Sequence, residues 1–268
     1  MKTHSNLVFS ASSRLRRCSK ADHQAGLTLL ELMISLSLGL LLLTGIGTIY
    51  VGSNQTYRVQ EQNARIQESG RYTLDVIGRS LRQAGYWNLP IAPNNNQTIF
   101  SGTAITGADG GAGPPPPADS VTVQYDAVAG DRDCEGANVA ADMVLQAALQ
   151  LDAANRELEC ESNNDGTLAN DPQPLVSNVE DLQFLYGVDT TGNQSANFYT
   201  ATPADWNRVV SVRACVLIRS EDQGITTSAQ RYLDCPNALA GSGTLTAATD
   251  SRLRRAFVST FNLRNRVP

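Results

Sequence analysis

Beyond residue 23 the chain contains neither histidine nor lysine, because His4, His23, Lys2 and Lys20 account for all of both. The body of the chain therefore has no imidazole base, no serine–histidine–aspartate triad, no imidazole metal ligand and no lysine for a Schiff base. Carboxylate chemistry is what remains. Its strongest pattern is "DRDCEGANVAAD", Asp131 to Asp142, which has acids at positions one, three, five and twelve and a glycine at six. That approaches the calcium-loop pattern, in which spaced carboxylates wrap one hard cation. It departs from the pattern at Glu135, at Asp142 in place of glutamate and at Asn138 where an apolar residue is usual. Neither flank is a convincing helix, so residues 131–142 read as a solvated acidic loop and no metal is assigned. Glu180, Asp181 and Asp189 read as solvated strand-edge or turn residues, not as a catalytic pair. Neither an enzyme nor a cofactor site is expected.

The thiols tell of a compartment. Cys18 lies in the basic N-terminal stretch, which leaves an even set of Cys134, Cys160, Cys215 and Cys235 at least 20 positions apart and with no CxxC spacing. A four-thiolate zinc site draws on close pairs, so two disulfides in an oxidising compartment are the better reading. Chain order favours Cys134 with Cys160 and Cys215 with Cys235, one of the three connectivities that four cysteines allow.

A different carboxylate raises a different question. Glu31 heads an apolar run in which Leu32 to Val51 supply 20 residues without a formal charge. At about 1.5 Å per residue such a helix spans a hydrocarbon core of roughly 30 Å. A lone carboxylate in a membrane segment costs at least about 2.5 kcal/mol, so something must compensate for it. Ahead of the run stand Lys2, Arg14, Arg16, Arg17 and Lys20 against Asp22 alone, a positive flank that stays cytoplasmic and sends the rest outward. With that flank set aside, a chain of net charge −5 leaves a strongly acidic body, unsuited to nucleic acid. No small-residue cleavage site follows the run. Instead Val59, Ile66, Leu74, Ile77, Leu81 and Ala84 recur mostly at helical spacing between charged residues, so one helix is predicted from about Leu27 to about Ala84.

Farther on, "SGTAITGADGGAGPPPPADS", Ser101 to Ser120, reads as a long surface connection with no regular element. Period-two alternation then marks strands at Val121, Val123 and Tyr125, at Val210, Val212, Ala214, Val216 and Ile218, and at Phe257, Ser259, Phe261 and Leu263. The expected fold class is α+β: a long N-terminal helix whose second half lies on one C-terminal antiparallel sheet. Trp206 reads as a core anchor. The five arginines after Ser251 read as a solvated strand face.

Basic leader, Gly26, "LTLLE" and an unbroken apolar helix resemble the class III signal of type IV prepilins, although Leu27 stands where the family usually has phenylalanine. The resemblance implies cleavage between Gly26 and Leu27 by a prepilin peptidase and N-methylation of the new terminus. It also implies that Glu31 pairs with the N-terminal amine of a neighbouring subunit. Later stretches, "QESGRYTLDVIGRSLRQAGY" from Gln67, "LVSNVEDLQFLYGVD" from Leu175, "WNRVVSVRACVLIRSED" from Trp206 and "RLRRAFVSTFNLRNR" from Arg252, are similar to the PilW family of minor pilins. They are less similar to the J-type pseudopilins of type II secretion, and an anchored periplasmic hydrolase or sugar-binding module is a distant third reading. The family division would be a leader at 1–26, a transmembrane and assembly segment at 27–56 and a periplasmic pilin domain at 57–268. Partners would be the prepilin peptidase, other minor pilins, the major pilin and a tip adhesin. The location would be the inner membrane, single-pass, and then the pilus.

Overall fold

Helix α1 runs unbroken over Leu29–Gln83, because no proline interrupts it and its start and stop are both coded locally. Thr28 begins it: the Glu31 amide donates to Thr28 Oγ1 at 3.2 Å, satisfying one of the amides a helix start leaves open, and the Leu32 amide donates to the Thr28 carbonyl at 3.2 Å as the first bond of the helix ladder. Gly85 ends it, with φ at +71°, the left-handed geometry in which glycine halts helices. The Gly85 amide then donates to the Gln124 carbonyl at 2.8 Å. The computed structural model describes residues 28–87, 102–111, 117–164, 168, 172–226 and 228–265. The chain divides into two compact units, Met1–Gly52 and Ser53–Pro268, with α1 contributing to both.

In the first unit the large apolar side chains from Leu29 to Val51 are exposed all round the helix. Hydroxyls among them turn inward to the backbone. Ser35 donates to the Glu31 carbonyl, Ser37 to Ile34, Thr44 to Leu40 and Thr48 to Gly45, at 2.7–2.9 Å. Every polar group on a lipid-facing helix needs such an internal partner.

The second unit is built on two sheets. Strands β1 (Ile105–Ala108), β2 (Ser120–Ala127), β3 (Met143–Asp152), β4 (Glu157–Ser162) and β5 (Gln173–Ser177) form an antiparallel meander. Strands β6 (Val179–Val188), β7 (Phe198–Thr200) and β8 (Val209–Arg219) follow. A two-stranded ribbon pairs β9 (Arg231–Tyr232) with β10 (Thr246–Ala247), and the short helix α2 (Cys235–Leu239) lies between them. The last strand, β11 (Arg254–Asn262), completes a four-stranded sheet in the order β11-β8-β6-β7.

Two sheets thus stand where the sequence led us to expect one. The chain passes from β5 to β6 through the single residue Asn178, whose φ is +64°. Asparagine tolerates that left-handed corner better than most residues. A further departure is β1, which sits inside the glycine- and proline-rich connection and pairs Ile105 with Val123. Ile105 is wholly buried, and burying one such side chain is worth about 2 kcal/mol.

One core joins the two sheets to the C-terminal part of α1, with Ile66, Ile77 and Leu81 meeting Leu145, Leu158, Phe184 and Tyr186. On α1, Gly70 and Gly78 let the rings of Phe257 and Phe261 in β11 close onto the helix. A Cβ at either would collide with a ring carbon. Tyr186 and Trp206 meet edge to face with centroids 4.7 Å apart, so Trp206 is packed against the core as predicted. The arginine face is less uniform than predicted. Arg254 is buried and holds Glu180 through Nε at 2.7 Å and Nη2 at 3.1 Å, and it also bonds both oxygens of Asp250. Donation from Arg254 holds the Asp250 carboxyl down to about 2.

Candidate functional site

Glu31 stands at the third helical position of α1, three residues after Thr28. "TLLE" is therefore a capping-box spacing, threonine followed three later by glutamate, and that local signal was missed in reading the sequence for charge alone. The carboxylate is exposed, and no hydrogen bond or ion pair engages it among the described residues. A negative charge in the first turn is favoured by the helix dipole, by about 0.3–1 kcal/mol, which offsets only part of its cost in a membrane. Gly26 and Leu27 lie outside the described residues. Among those residues, α1 is the one helix long and apolar enough to cross a membrane, with a mean hydropathy of 2.1 over its best window.

The acidic segment 131–142 spends its carboxylates on its own chain. Asp131 accepts from the Val128 amide at 3.0 Å, Asp142 from the Ala129 amide at 2.9 Å and Glu135 from the Ser162 amide at 2.6 Å. Asp133 is buried and takes four donors: the amides of Glu135 and Ala137, the Ser162 hydroxyl and the Asn164 side chain. The solvated loop of the sequence reading is thus partly a folded knot, stapled to β4 by the Cys134–Cys160 bridge. Among the described residues no three of His, Cys, Asp and Glu converge as metal ligands would. Cys215 and Cys235 are likewise bridged and wholly buried.

Of the three acids read as solvated, none is. Glu180 is bound by Arg254, as above. Asp189 is buried and anchors the turn after β6, accepting from the amides of Thr191, Gly192 and Gln194 at 2.6–2.8 Å. Asp181 is buried on the face of β6 that meets α2. Burial pushes its carboxyl up to about 6, helped by the charges of Asp119 and Asp234 and opposed by a hydrogen bond from Gln183 Nε2 at 2.9 Å.

Because the folded state favours the neutral acid, Asp181 contributes stability that is fully present below its unfolded value near 3.9 and is lost as pH rises through about 6. At pH 7.5 its ionisation costs about 2–3 kcal/mol, at 1.36 kcal/mol per unit. Asp181→Asn keeps an oxygen for Gln183 and removes that cost. Thermal melts should therefore show the variant several degrees more stable than wild type at pH 7.5 and equal to it at pH 4. A constant difference across that range would contradict the assignment.

A family model described as "Type IV Pilus-assembly protein W" matches residues 148–265, from β3 through β11. A model of the prokaryotic N-terminal methylation motif matches residues 22–47. Among solved structures, a type IV-like pilin from Thermus thermophilus is similar at 17% identity and a TM-score of 0.47, covering 76% of this chain and 99% of that one. No curated protein sequence matches.

Proposed function

We propose that the chain is a minor pilin of the PilW family of type IV pilus-assembly proteins, acting in pilus initiation, in a priming or tip complex with other minor pilins. The observation that carries the reading is the pairing of two parts in one chain. Residues 22–47 match the methylation motif and open an apolar helix with every large side chain exposed, while residues 148–265 match the pilus-assembly family. An apolar helix bare on all sides needs lipid before assembly and other helices after it.

On this reading the prepilin peptidase cuts between Gly26 and Leu27 and the new terminus is methylated. The exported unit then lies on the periplasmic side. Two disulfides suit that oxidising compartment, and the basic leader suits the orientation. Glu31 becomes the fifth residue of the mature chain and awaits the amine of an adjoining subunit. The protein is a structural subunit and a substrate of the peptidase, with other minor pilins, the major pilin and a tip adhesin as its partners.

The test is recovery of the tagged protein from sheared pili together with its companions. Intact mass should show loss of the first 26 residues and one added methyl group. A protein that keeps its leader, or that stays in the membrane when pili are sheared, would refute the proposal.

A further inference from the structure

Between the second half of α1 and the ends of β5 and β8 lies a cavity of about 240 Å³, room for about eight waters at roughly 30 Å³ each. Its walls include Gln62 and Ser69 from α1, Ser177 and Asn178 from the sheet-to-sheet corner, and Ile218 and Arg219 from β8. Three observations there point to an occupant. The Arg219 guanidinium has no hydrogen bond or ion pair among the described residues, and its Nε is shielded from water without a partner. Gln62 Oε1 is equally shielded and unpaired, although its Nε2 donates to Asp222 at 3.2 Å. Burial and the like charges of Arg252, Arg156 and Arg254 all oppose the Arg219 cation, and the charge of Glu180 favours it.

The other charges around the cavity do not compensate Arg219. Arg65 is shared between Glu61 at 2.9 Å and Glu221 at 3.6 Å, and Glu68 is exposed and screened by solvent. Arg254 is saturated by Glu180 and Asp250. An unmet acceptor on the α1 side of the cavity and an unmet guanidinium on its β8 side match a group that carries both a carboxylate and an N–H. Gln62 and Arg219 both line the cavity. Arginine binds a carboxylate through two parallel hydrogen bonds, which is the strongest match available to it.

We infer that this cavity is a docking site for an acidic side chain of a neighbouring subunit, its carboxylate on Arg219 and its own backbone N–H on Gln62. That the bearer is a subunit of the filament rests on the function proposed above, whereas the carboxylate chemistry does not. The probe is N-acetyl-glutamate N-methylamide, titrated into the full-length processed protein in detergent micelles. Saturable binding is expected for the wild type. The glutamine analogue should bind at least tenfold more weakly, and Arg219→Met should weaken the glutamate probe by at least tenfold.

Arg219→Met should also melt no lower than wild type without ligand, because it removes a shielded donor with no partner and keeps the aliphatic stem. In cells, Arg219→Met should be processed normally and depleted from sheared pili. No binding to the wild type, equal binding of the two analogues, or full binding by Arg219→Met would overturn the site. Wild-type protein that binds the probe and yet never enters pili would refute the filament reading and leave the carboxylate site standing.

Discussion

Glu31→Ala should give a protein that is processed and held in the membrane but missing from sheared pili. The substitution removes a charge from an apolar segment, so insertion should be as good as wild type or better. Alanine is also the best helix former, and the start of α1 relies on the Glu31 backbone amide bonding Thr28 Oγ1, which alanine retains. No other described group bonds the carboxylate, so the melting temperature of the exported part should not move. Docking is what should fail. A carboxylate and an amine brought together in low dielectric leave one charge uncompensated when the other is removed, a loss of about 3–5 kcal/mol, or a hundredfold or more in association. Glu31→Asp keeps the charge with a shorter reach and should be intermediate. The ratio of pilus to membrane signal on immunoblots decides the matter. Wild-type recovery of the alanine variant would reduce Glu31 to a partner of its own helix dipole.

What made α1 readable is that its two halves obey two plain rules. An uncharged run longer than a bilayer marks the first, and apolar residues at three, four and seven mark the second, where Ile66, Ile77 and Leu81 are indeed buried. Strand β2 was readable for a similar reason, since its buried positions alternate without exception. Strand β8 was readable through Val212, Ala214, Val216 and Ile218, which all enter the main core, while its other face is covered by α2 around Cys215 and Leu217. Only its start departs from the alternation. A register shift next to Gly187 and Val188 places Val209 opposite Val188, so Val209 is fully buried where alternation had chosen Val210.

The buried acids were the least legible. "VEDLQF" has acids at positions that look solvent-facing, yet Asp181 is buried and Glu180 half-buried. Asp181 is covered by α2, more than 50 residues away in sequence, and Glu180 is claimed by Arg254 at a separation of 74. Pairings at such distances are set by tertiary topology and leave no trace in periodicity. The four-residue strand β1 fails for another reason: glycine and proline around it report the loop, while Ile105 alone reports the strand.

The two disulfides should prove unequal when removed. Closing loops of 26 and 20 residues is worth about 3–3.5 kcal/mol each in the chain-entropy model, so reducing both should lower the melting temperature strongly. Local architecture then separates them. Without Cys134–Cys160 the acidic segment remains tied to β4 by the bonds of Asp133 and Glu135 to Ser162. Without Cys215–Cys235 the five-residue helix α2 keeps its Asp234 cap and a small apolar cluster around Leu217 and Leu239, too little for a helix far shorter than those that persist alone. The double variant Cys215→Ala/Cys235→Ala should therefore show fast amide exchange across 231–247, while Cys134→Ala/Cys160→Ala should stay protected at 131–138. Opening α2 also lets water reach Asp181 and returns its carboxyl toward the ordinary range. The gain from Asp181→Asn at pH 7.5 should then shrink to near zero in the Cys215→Ala/Cys235→Ala background and persist in the other. Additive effects in both backgrounds would mean that α2 is not what buries Asp181.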